Sequence, residues 1–240
     1  MTEFDMLQEL AEGVKSQNSA WRFIRKFAEN WAAPLRDDDG WGEGDLDLAE
    51  KRLGVPLPGA LREAYQLLGR RSDLTSNHDV LLSPAQLHLD DRGKALVFRH
   101  ENQGSASWGV LITDLRHPDP AVFIRANLAE REAERWDPWL SRLSLAFIEI
   151  VLSESLHAPE ELCDFLGELD DAAIDRLQRN YTRLPFPEYP ICQESGGTRW
   201  FTGPDVLLRD DERAVLWVRA RANEALDQAR NMIPGEWLND

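Results

Sequence analysis

Cysteine is scarce in this chain of 240 residues, which contains only Cys163 and Cys192. Two cysteines cannot build a disulfide framework and are not spaced as a CxxC pair, so we expect a reduced, cytoplasmic protein with two inert thiols. Long apolar runs are also missing, because no stretch of about 18 apolar residues could span a bilayer. The acidic N-terminus lacks the basic region of a signal peptide. The sequence therefore predicts no membrane association.

Familiar catalytic and cofactor motifs are absent as well. The sequence contains no P-loop, GxGxxG, HExxH or GxSxG pattern, and none of its five histidines stands four residues from another. The nearest approach to a metal cluster is residues 88–91, where one histidine and two aspartates offer fewer ligands than a zinc site normally has. We therefore predict no metal, no cofactor and no catalytic residue.

Basic residues are in short supply, with 27 Lys and Arg against 43 Asp and Glu, which gives a formal charge of −16. Such a field repels phosphate, so we expect no direct binding to nucleic acid. It suits a basic protein partner, although the same charge also serves solubility alone. With 42% hydrophobic residues and nine Trp, the chain can nonetheless bury a large core.

Helices dominate the first part of the sequence. Apolar residues at helical spacing predict helices near residues 4–14, 21–31, 46–53 and 58–69, and later near 141–153, 164–180 and 222–229. Asp45 is expected to cap the third helix and Gly54 to end it. Pro58 is expected to open the fourth.

A hairpin at residues 96–112 is the predicted centre of the sheet. Short β-branched and aromatic runs flank a polar loop that contains His100 and Glu101. These two side chains suggest an acid–base pair, but Asn, Gln and Gly in a hairpin connection are also explained by the turn itself, which we favour. Later strands are expected at residues 119–123, 198–201, 205–208 and 214–218, all in the same sheet.

Two sequence patterns in this order resemble the SUKH superfamily, which includes bacterial immunity proteins and yeast cell-wall synthesis regulators. The first is E-x-x-L-G-x-x-L-P, formed by Glu50, Leu53, Gly54, Leu57 and Pro58. The second is an apolar strand followed by Glu101, Asn102, Gln103 and a strand with Trp108, continued by the D-P-x-V sequence at residues 119–122. The similarity covers roughly residues 20–155.

The resemblance implies an α+β fold, with a helical N-terminal part packed on a mixed, largely antiparallel sheet. We accordingly predict an N-terminal helical extension, residues 1–16, and a single SUKH-like domain, residues 17–240. A boundary near Ala158 and Pro159 is the alternative. The Glu101, Asn102 and Gln103 pattern is expected to be architectural.

The function that the resemblance implies is that of a non-enzymatic immunity protein, which occludes a basic intracellular toxin such as a nuclease. Carboxylates in exposed runs and two aromatic anchors are the expected contacts: Asp37, Asp38, Asp39, Trp41, Asp90, Asp91, Trp200, Asp210, Asp211 and Glu212. Each run is also explained as a solvated turn. The alternatives are an intracellular regulatory scaffold and a hydrolase whose groups converge only in space.

Overall fold

A computed structural model describes residues 4–190 and 197–238. This part of the chain combines eight α-helices with antiparallel sheets, which confirms the predicted α+β class. Cys192 lies outside the described residues. No helix among the described residues is long and apolar enough to cross a membrane.

The chain divides into two compact units. The first unit is residues 16–154, and the second combines residues 1–15 with residues 155–240. The division falls close to the Ala158–Pro159 boundary that the sequence left open. The helices of the described residues are α1 Met6–Gly13, α2 Gln17–Trp31, α3 Glu43–Leu53, α4 Gly59–Leu68, α5 Ser72–Thr75, α6 Leu143–Ser155, α7 Asp171–Asn180 and α8 Asn223–Met232.

The first unit contains a six-stranded antiparallel sheet among its described residues. Its strands are β1 Val80–Leu81, β2 His88–Leu89, β3 Ala95–His100, β4 Ala106–Leu111, β5 Val122–Ala126 and β6 Asp137–Leu140. They are ordered β1-β3-β4-β5-β6, with β2 also paired to β3. The β3–β4 hairpin therefore lies inside the sheet, as the sequence predicted.

Helix α6 packs against this sheet through aromatic contacts. The ring of Phe147 lies 6.2 Å from Phe98 on β3 and 6.2 Å from Trp21 on α2. Asp119 caps the N-terminal end of α6. Its carboxylate accepts hydrogen bonds from the backbone N–H and the hydroxyl of Ser144. This capping gives the D-P-x-V sequence a structural role.

The α3–α4 pair explains the E-x-x-L-G-x-x-L-P pattern. Helix α3 ends at Gly54, which adopts φ 73°, a left-handed conformation that favours glycine. The carboxylate of Glu50 then accepts the N–H of Leu57 at 2.7 Å and pairs with Arg62 on α4 at 3.2 Å. Pro58 is the N-cap of α4, as expected.

The start of α3 differs from the sequence prediction. The helix begins at Glu43, and its N-cap is Gly42. Asp45 lies in the first turn, where its side chain accepts the N–H of Gly42 at 3.2 Å. The prediction that Asp45 is the N-cap is therefore wrong, because the carboxylate reaches back to the cap from three residues further along.

The second unit has its own antiparallel sheet among the described residues. Its strands are β7 Cys163–Gly167, β8 Thr182–Arg183, β9 Thr198–Gly203, β10 Val206–Asp211 and β11 Val215–Ala220, in the order β7-β11-β10-β9-β8. One face packs with α7 and α8 in a core that includes Leu177, Leu208, Val218 and Leu226. The expectation that these strands join the opening hairpin in one sheet is wrong.

The predicted helix at residues 164–180 is also partly wrong. Residues 163–167 form strand β7, and only residues 171–180 form the helix α7. Asp170 caps this helix by accepting the N–H of Ala173 at 2.7 Å. The apolar pair Phe165 and Leu166 therefore belongs to the sheet, a case in which periodicity alone cannot separate a short strand from a helical turn.

Candidate functional site

Residues 36–50 of the first unit, which we name the acidic segment, contain seven Asp or Glu and one basic residue, Arg36. The segment is a loop followed by most of α3. Asp37 and Asp38 at the loop tip are exposed. On α3, the side chains of Glu43 and Asp47 are 76% and 64% exposed, although both lie near Arg62. The segment therefore presents carboxylates to solvent.

Asp39 holds the loop of the acidic segment in place. Its carboxylate accepts the N–H of Arg36 at 2.8 Å and pairs with the guanidinium of Arg71 at 2.9 Å. Burial alone would raise the pKa of Asp39, but the hydrogen bonds from Arg36 and Arg71 outweigh it and hold the pKa below its ordinary value. Asp39 is therefore an internal anchor, in contrast to its exposed neighbours.

Trp41 is a second anchor of the same loop. Its backbone N–H donates to the carbonyl of Tyr65 at 2.9 Å, and its indole N–H donates to the carbonyl of Gly69 at 3.0 Å. The guanidinium of Arg70 lies 4.4 Å from the ring centroid. Trp41 thus packs back onto the end of α4, and this contact fixes the loop.

Gly40 explains how closely this loop approaches α4. A Cβ atom at this position would lie 1.7 Å from the backbone oxygen of Gln66, so only glycine fits here without movement of the backbone. Together with Asp39 and Trp41, Gly40 makes the acidic segment a preorganised surface.

Leu48 adds an apolar contact to the acidic segment. It lies on α3 one turn from Asp45 and from Lys51, and is 67% exposed, more than Val80 at 41%, Leu128 at 42% or Leu238 at 62%. Protein-binding surfaces combine apolar contacts with a polar rim, and Leu48 is available as such an apolar contact. Leu48 was not predicted as a contact, because its spacing in the sequence indicates only the solvent face of the helix.

Arg99 is the centre of a buried ionic network behind the hairpin. Its guanidinium lies 3.2 Å from Asp79, 3.2 Å from Glu149 and 2.6 Å from Glu154, and the arginine is 1% exposed. It also lies 4.7 Å from the ring centroid of Trp108. Burial is the largest single influence and would lower the pKa of Arg99, but the three nearby carboxylates together outweigh it and raise the pKa. The network ties β3 to α6.

A β-bulge directs Arg99 toward α6. The β3–β4 register shifts between Val97 and Arg99. Phe98 and Arg99 are consecutive, yet both contact side chains of α6, which the alternation of a regular strand would not allow. This network was not predicted, because its members are distant along the chain.

Glu101 organises the tip of the β3–β4 hairpin. Its carboxylate accepts the N–H of Gln103 at 2.8 Å, and the N–H and hydroxyl of Ser105 at 2.9 and 2.8 Å. Burial would raise the pKa of Glu101, but these hydrogen bonds outweigh it and lower the pKa. His100 instead contacts Ser107 and stacks on His88. Glu101 and His100 therefore contact different partners. This supports the interpretation of the polar loop as a structural turn and not as an acid–base pair.

The hairpin tip meets the loop before β1. His78, Asp79 and Glu101 each offer one ligand atom, and these atoms all lie within 4.8 Å of one another. The backbone N–H of Asn102 donates to Asp79 at 3.3 Å, and its side-chain nitrogen lies 3.1 Å from a ring nitrogen of His78. This cluster was missed from the sequence, because more than 20 residues separate its two halves.

Asp90 and Asp91 have different environments. The Asp90 side chain is fully buried. Its carboxylate accepts hydrogen bonds from the backbone N–H groups of Lys94 and Ala95, from the indole N–H of Trp136 and from the guanidinium of Arg125. The expectation of an exposed Asp90 is therefore wrong, and its oxygens are committed to these donors. Asp91 is exposed, and a hydrogen bond from Arg125 lowers its pKa.

The predicted contacts of the second unit are mostly buried. Trp200 is 1% exposed and Asp210 is 0% exposed, with Asp210 paired to Arg199 on β9. Burial raises the pKa of Asp211 although Arg209 pairs with it. Glu212, which is half-buried, accepts the N–H of Gly197. The expectation that residues 210–212 form a solvated run is wrong, because residues 210 and 211 belong to strand β10.

Cys163 shares a cavity of about 450 Å³ with Glu160, Glu161 and Arg230. Burial raises the pKa of this thiol to about 11, so the reactive thiolate is scarce at neutral pH. Arg230 pairs with Asp164 at 2.8 Å. The expectation of an inert, buried thiol agrees with this environment.

Comparison of the chain with protein-family models, with curated proteins and with solved structures finds no match. The resemblance to the SUKH superfamily therefore rests on the two sequence patterns alone. The roles expected of the residues in these two patterns stay predictions, although Glu50, Gly54 and Glu101 have the structural contacts described above.

Proposed function

We propose that this chain is a non-enzymatic protein-binding module, which neutralises a basic intracellular toxin by covering a positively charged surface. The observation that carries the proposal is the acidic segment, whose exposed carboxylates stand on a loop fixed by Asp39 and Trp41. Its partner contacts are Asp37, Asp38 and Leu48, with Asp91 as a further exposed carboxylate.

Preorganisation supports this role. A loop that is already ordered loses little conformational entropy on binding, so more of the contact energy contributes to affinity. Fixed carboxylates also steer a basic partner toward the surface and raise its association rate. The overall charge of −16 acts in the same direction.

A regulatory scaffold would use the same kind of surface, and no feature of the described residues favours it over an antitoxin. The two functions differ in what the partner does when it is alone. A toxin arrests growth when it is expressed without this chain, whereas a regulated enzyme or structural protein does not.

The experiment is capture of the partner from the source cell with the full chain as bait, followed by mass spectrometry. The captured gene is then expressed alone and together with the chain. We expect a basic protein that stops growth alone and is tolerated on co-expression. A captured protein that is harmless, or a toxin whose effect this chain does not relieve, would rule out the antitoxin role.

The bait needs a matched control to exclude adhesion through charge alone. The variant D37K/D38K changes the acidic segment, and E130K/E132K makes the same change of charge at exposed residues elsewhere in the first unit. We expect the toxin to be lost from the first bait and retained by the second.

A further inference from the structure

We propose that His78, Asp79 and Glu101 form a binding site for a divalent transition-metal ion, with Zn²⁺ as the representative ion. The candidate ligand atoms already lie within 4.8 Å of one another. A small inward movement of the side chains would allow all three atoms to lie about 2.0–2.2 Å from one shared zinc ion. This proposal is independent of the proposed toxin partner.

The backbone around the first two ligands is fixed from behind. The carboxylate of Glu154, which is 1% exposed, accepts the N–H of His78 at 2.6 Å and the N–H of Asp79 at 3.2 Å. The side chain of Asn77 also donates to the backbone carbonyl of Glu154 at 2.9 Å. The two ligands are therefore presented by a buried anchor, unlike a chance group of surface acids.

The third ligand is fixed by a separate set of hydrogen bonds. The bonds that Glu101 accepts from Gln103 and Ser105 all go to Oε2, so Oε1 is not used by them. The N–H of Asn102 joins this hairpin tip to Asp79. The two halves of the site are thus held next to each other before an ion binds.

The side chain of Asn102 lies beside the imidazole of His78. Its Nδ2 lies 3.1 and 3.3 Å from the two ring nitrogens of His78. The candidate ligands are therefore one imidazole nitrogen and two carboxylates, which leaves the remaining position of a tetrahedral ion to water.

The chemistry of this donor set selects the class of ion. Imidazole nitrogen favours zinc and its transition-metal neighbours, whereas Ca²⁺ and Mg²⁺ prefer sites made only of oxygen. Arg99 pairs with Asp79 and partly neutralises its charge. The same guanidinium also pairs with two further carboxylates, Glu149 and Glu154. The surroundings of the site therefore remain acidic. A bound ion would join the loop before β1 to the tip of the hairpin.

The test is isothermal titration calorimetry of the full chain, freed of metal with a chelator, against Zn²⁺ and separately against Ca²⁺. We expect one Zn²⁺ per chain and binding of Ca²⁺ at least about tenfold weaker. His78→Ala should weaken Zn²⁺ binding by at least the roughly 10- to 100-fold that loss of a supporting residue costs. Glu101→Gln, which keeps an acceptor for the hairpin, should also weaken it.

The matched control is His117→Ala, which removes an exposed histidine elsewhere in the first unit. It should leave Zn²⁺ affinity within about twofold of the wild type. Circular dichroism of each variant checks that it has folded. Absence of stoichiometric Zn²⁺ binding would overturn the proposal. Equal losses in the His78 and His117 variants, or unchanged affinity in the His78 and Glu101 variants, would overturn it as well.

Discussion

The guanidinium of Arg99 lies 2.6 Å from the carboxylate of Glu154, and both side chains are 1% exposed. The pair joins the central strand β3 to the C-terminal part of α6. Glu154 also accepts two backbone N–H groups from residues 78 and 79, so one carboxylate organises strand, helix and loop together. Removal of one partner would leave the other as an uncompensated buried charge.

Replacement Arg99→Met should therefore destabilise the protein strongly. We expect the free energy of unfolding to fall by about 3–5 kcal/mol, because buried carboxylates lose their shared cation. Urea denaturation, followed by circular dichroism, measures this change. Arg116→Met at an exposed position is the control, with an expected change within about 0.5 kcal/mol. Equal stability of the two variants would show that the Arg99 network adds nothing.

Asp39 and Asp37 should contribute differently to the stability of the protein, although each adds one carboxylate to the same loop. Asp39→Asn weakens the contacts with Arg36 and Arg71, and we expect a loss of about 1–2 kcal/mol in the free energy of unfolding. Asp37 is exposed, so Asp37→Asn should change stability by no more than about 0.5 kcal/mol. Urea denaturation distinguishes them, and a larger loss for Asp37→Asn would contradict the assigned roles.

The same pair of variants should show a pH dependence of stability. The pKa of Asp39 is lowered in the folded protein, so its contribution is present above its unfolded value of about 3.9 and is lost as the pH falls through the lowered pKa. The difference in the free energy of unfolding between wild type and Asp39→Asn should therefore be largest near neutral pH and should decrease in acid. A difference that grows in acid would contradict this sign.

Leu48 should contribute to affinity without contributing to stability. Because the side chain is 67% exposed, Leu48→Ala should leave the free energy of unfolding within about 0.5 kcal/mol of wild type. Binding of the captured partner should weaken by more than about 1 kcal/mol if Leu48 lies at the centre of the contact. Leu128→Ala, at another exposed leucine, is the control for calorimetry. Equal effects of both variants would remove Leu48 from the interface.

Cys163 should resist thiol reagents in the folded protein. With its pKa raised to about 11, its thiolate fraction near pH 8 is roughly 240-fold smaller than expected from an ordinary pKa of about 8.5 for a free cysteine, before shielding is counted. Labelling of a Cys192→Ser variant with a chromogenic disulfide, native and in urea, isolates this residue. Similar labelling rates in the two conditions would contradict the inert role.

The sequence predicted those features that depend on neighbouring residues. Gly54 ends α3 because glycine readily adopts the left-handed backbone conformation that caps the last turn. The β3–β4 hairpin follows from two apolar runs that flank turn residues. The sequence could not separate the strand at residues 163–167 from the following helix, because a short apolar run satisfies both periods. It also could not assign the late strands to a second sheet.

The candidate site was predicted less completely, for a physical reason. Asp37 and Asp38 are exposed as expected, but Asp210 lies in strand β10, where Arg199 compensates its charge. A run of acids looks the same in sequence whether it is solvated or paired. The ion pairs of Arg99 and the contact between His78 and Asn102 join residues at least 20 positions apart, so they arise only from the fold.

The proposed function is tested most directly by the rate at which the captured toxin associates with the chain. Stopped-flow measurement at low salt should show that D37K/D38K slows association by about tenfold, whereas E130K/E132K, with the same change of charge, has little effect. The difference should shrink as the salt concentration rises. Equal rates for the two variants, or association that is insensitive to salt, would contradict the assignment of the acidic segment as the binding surface.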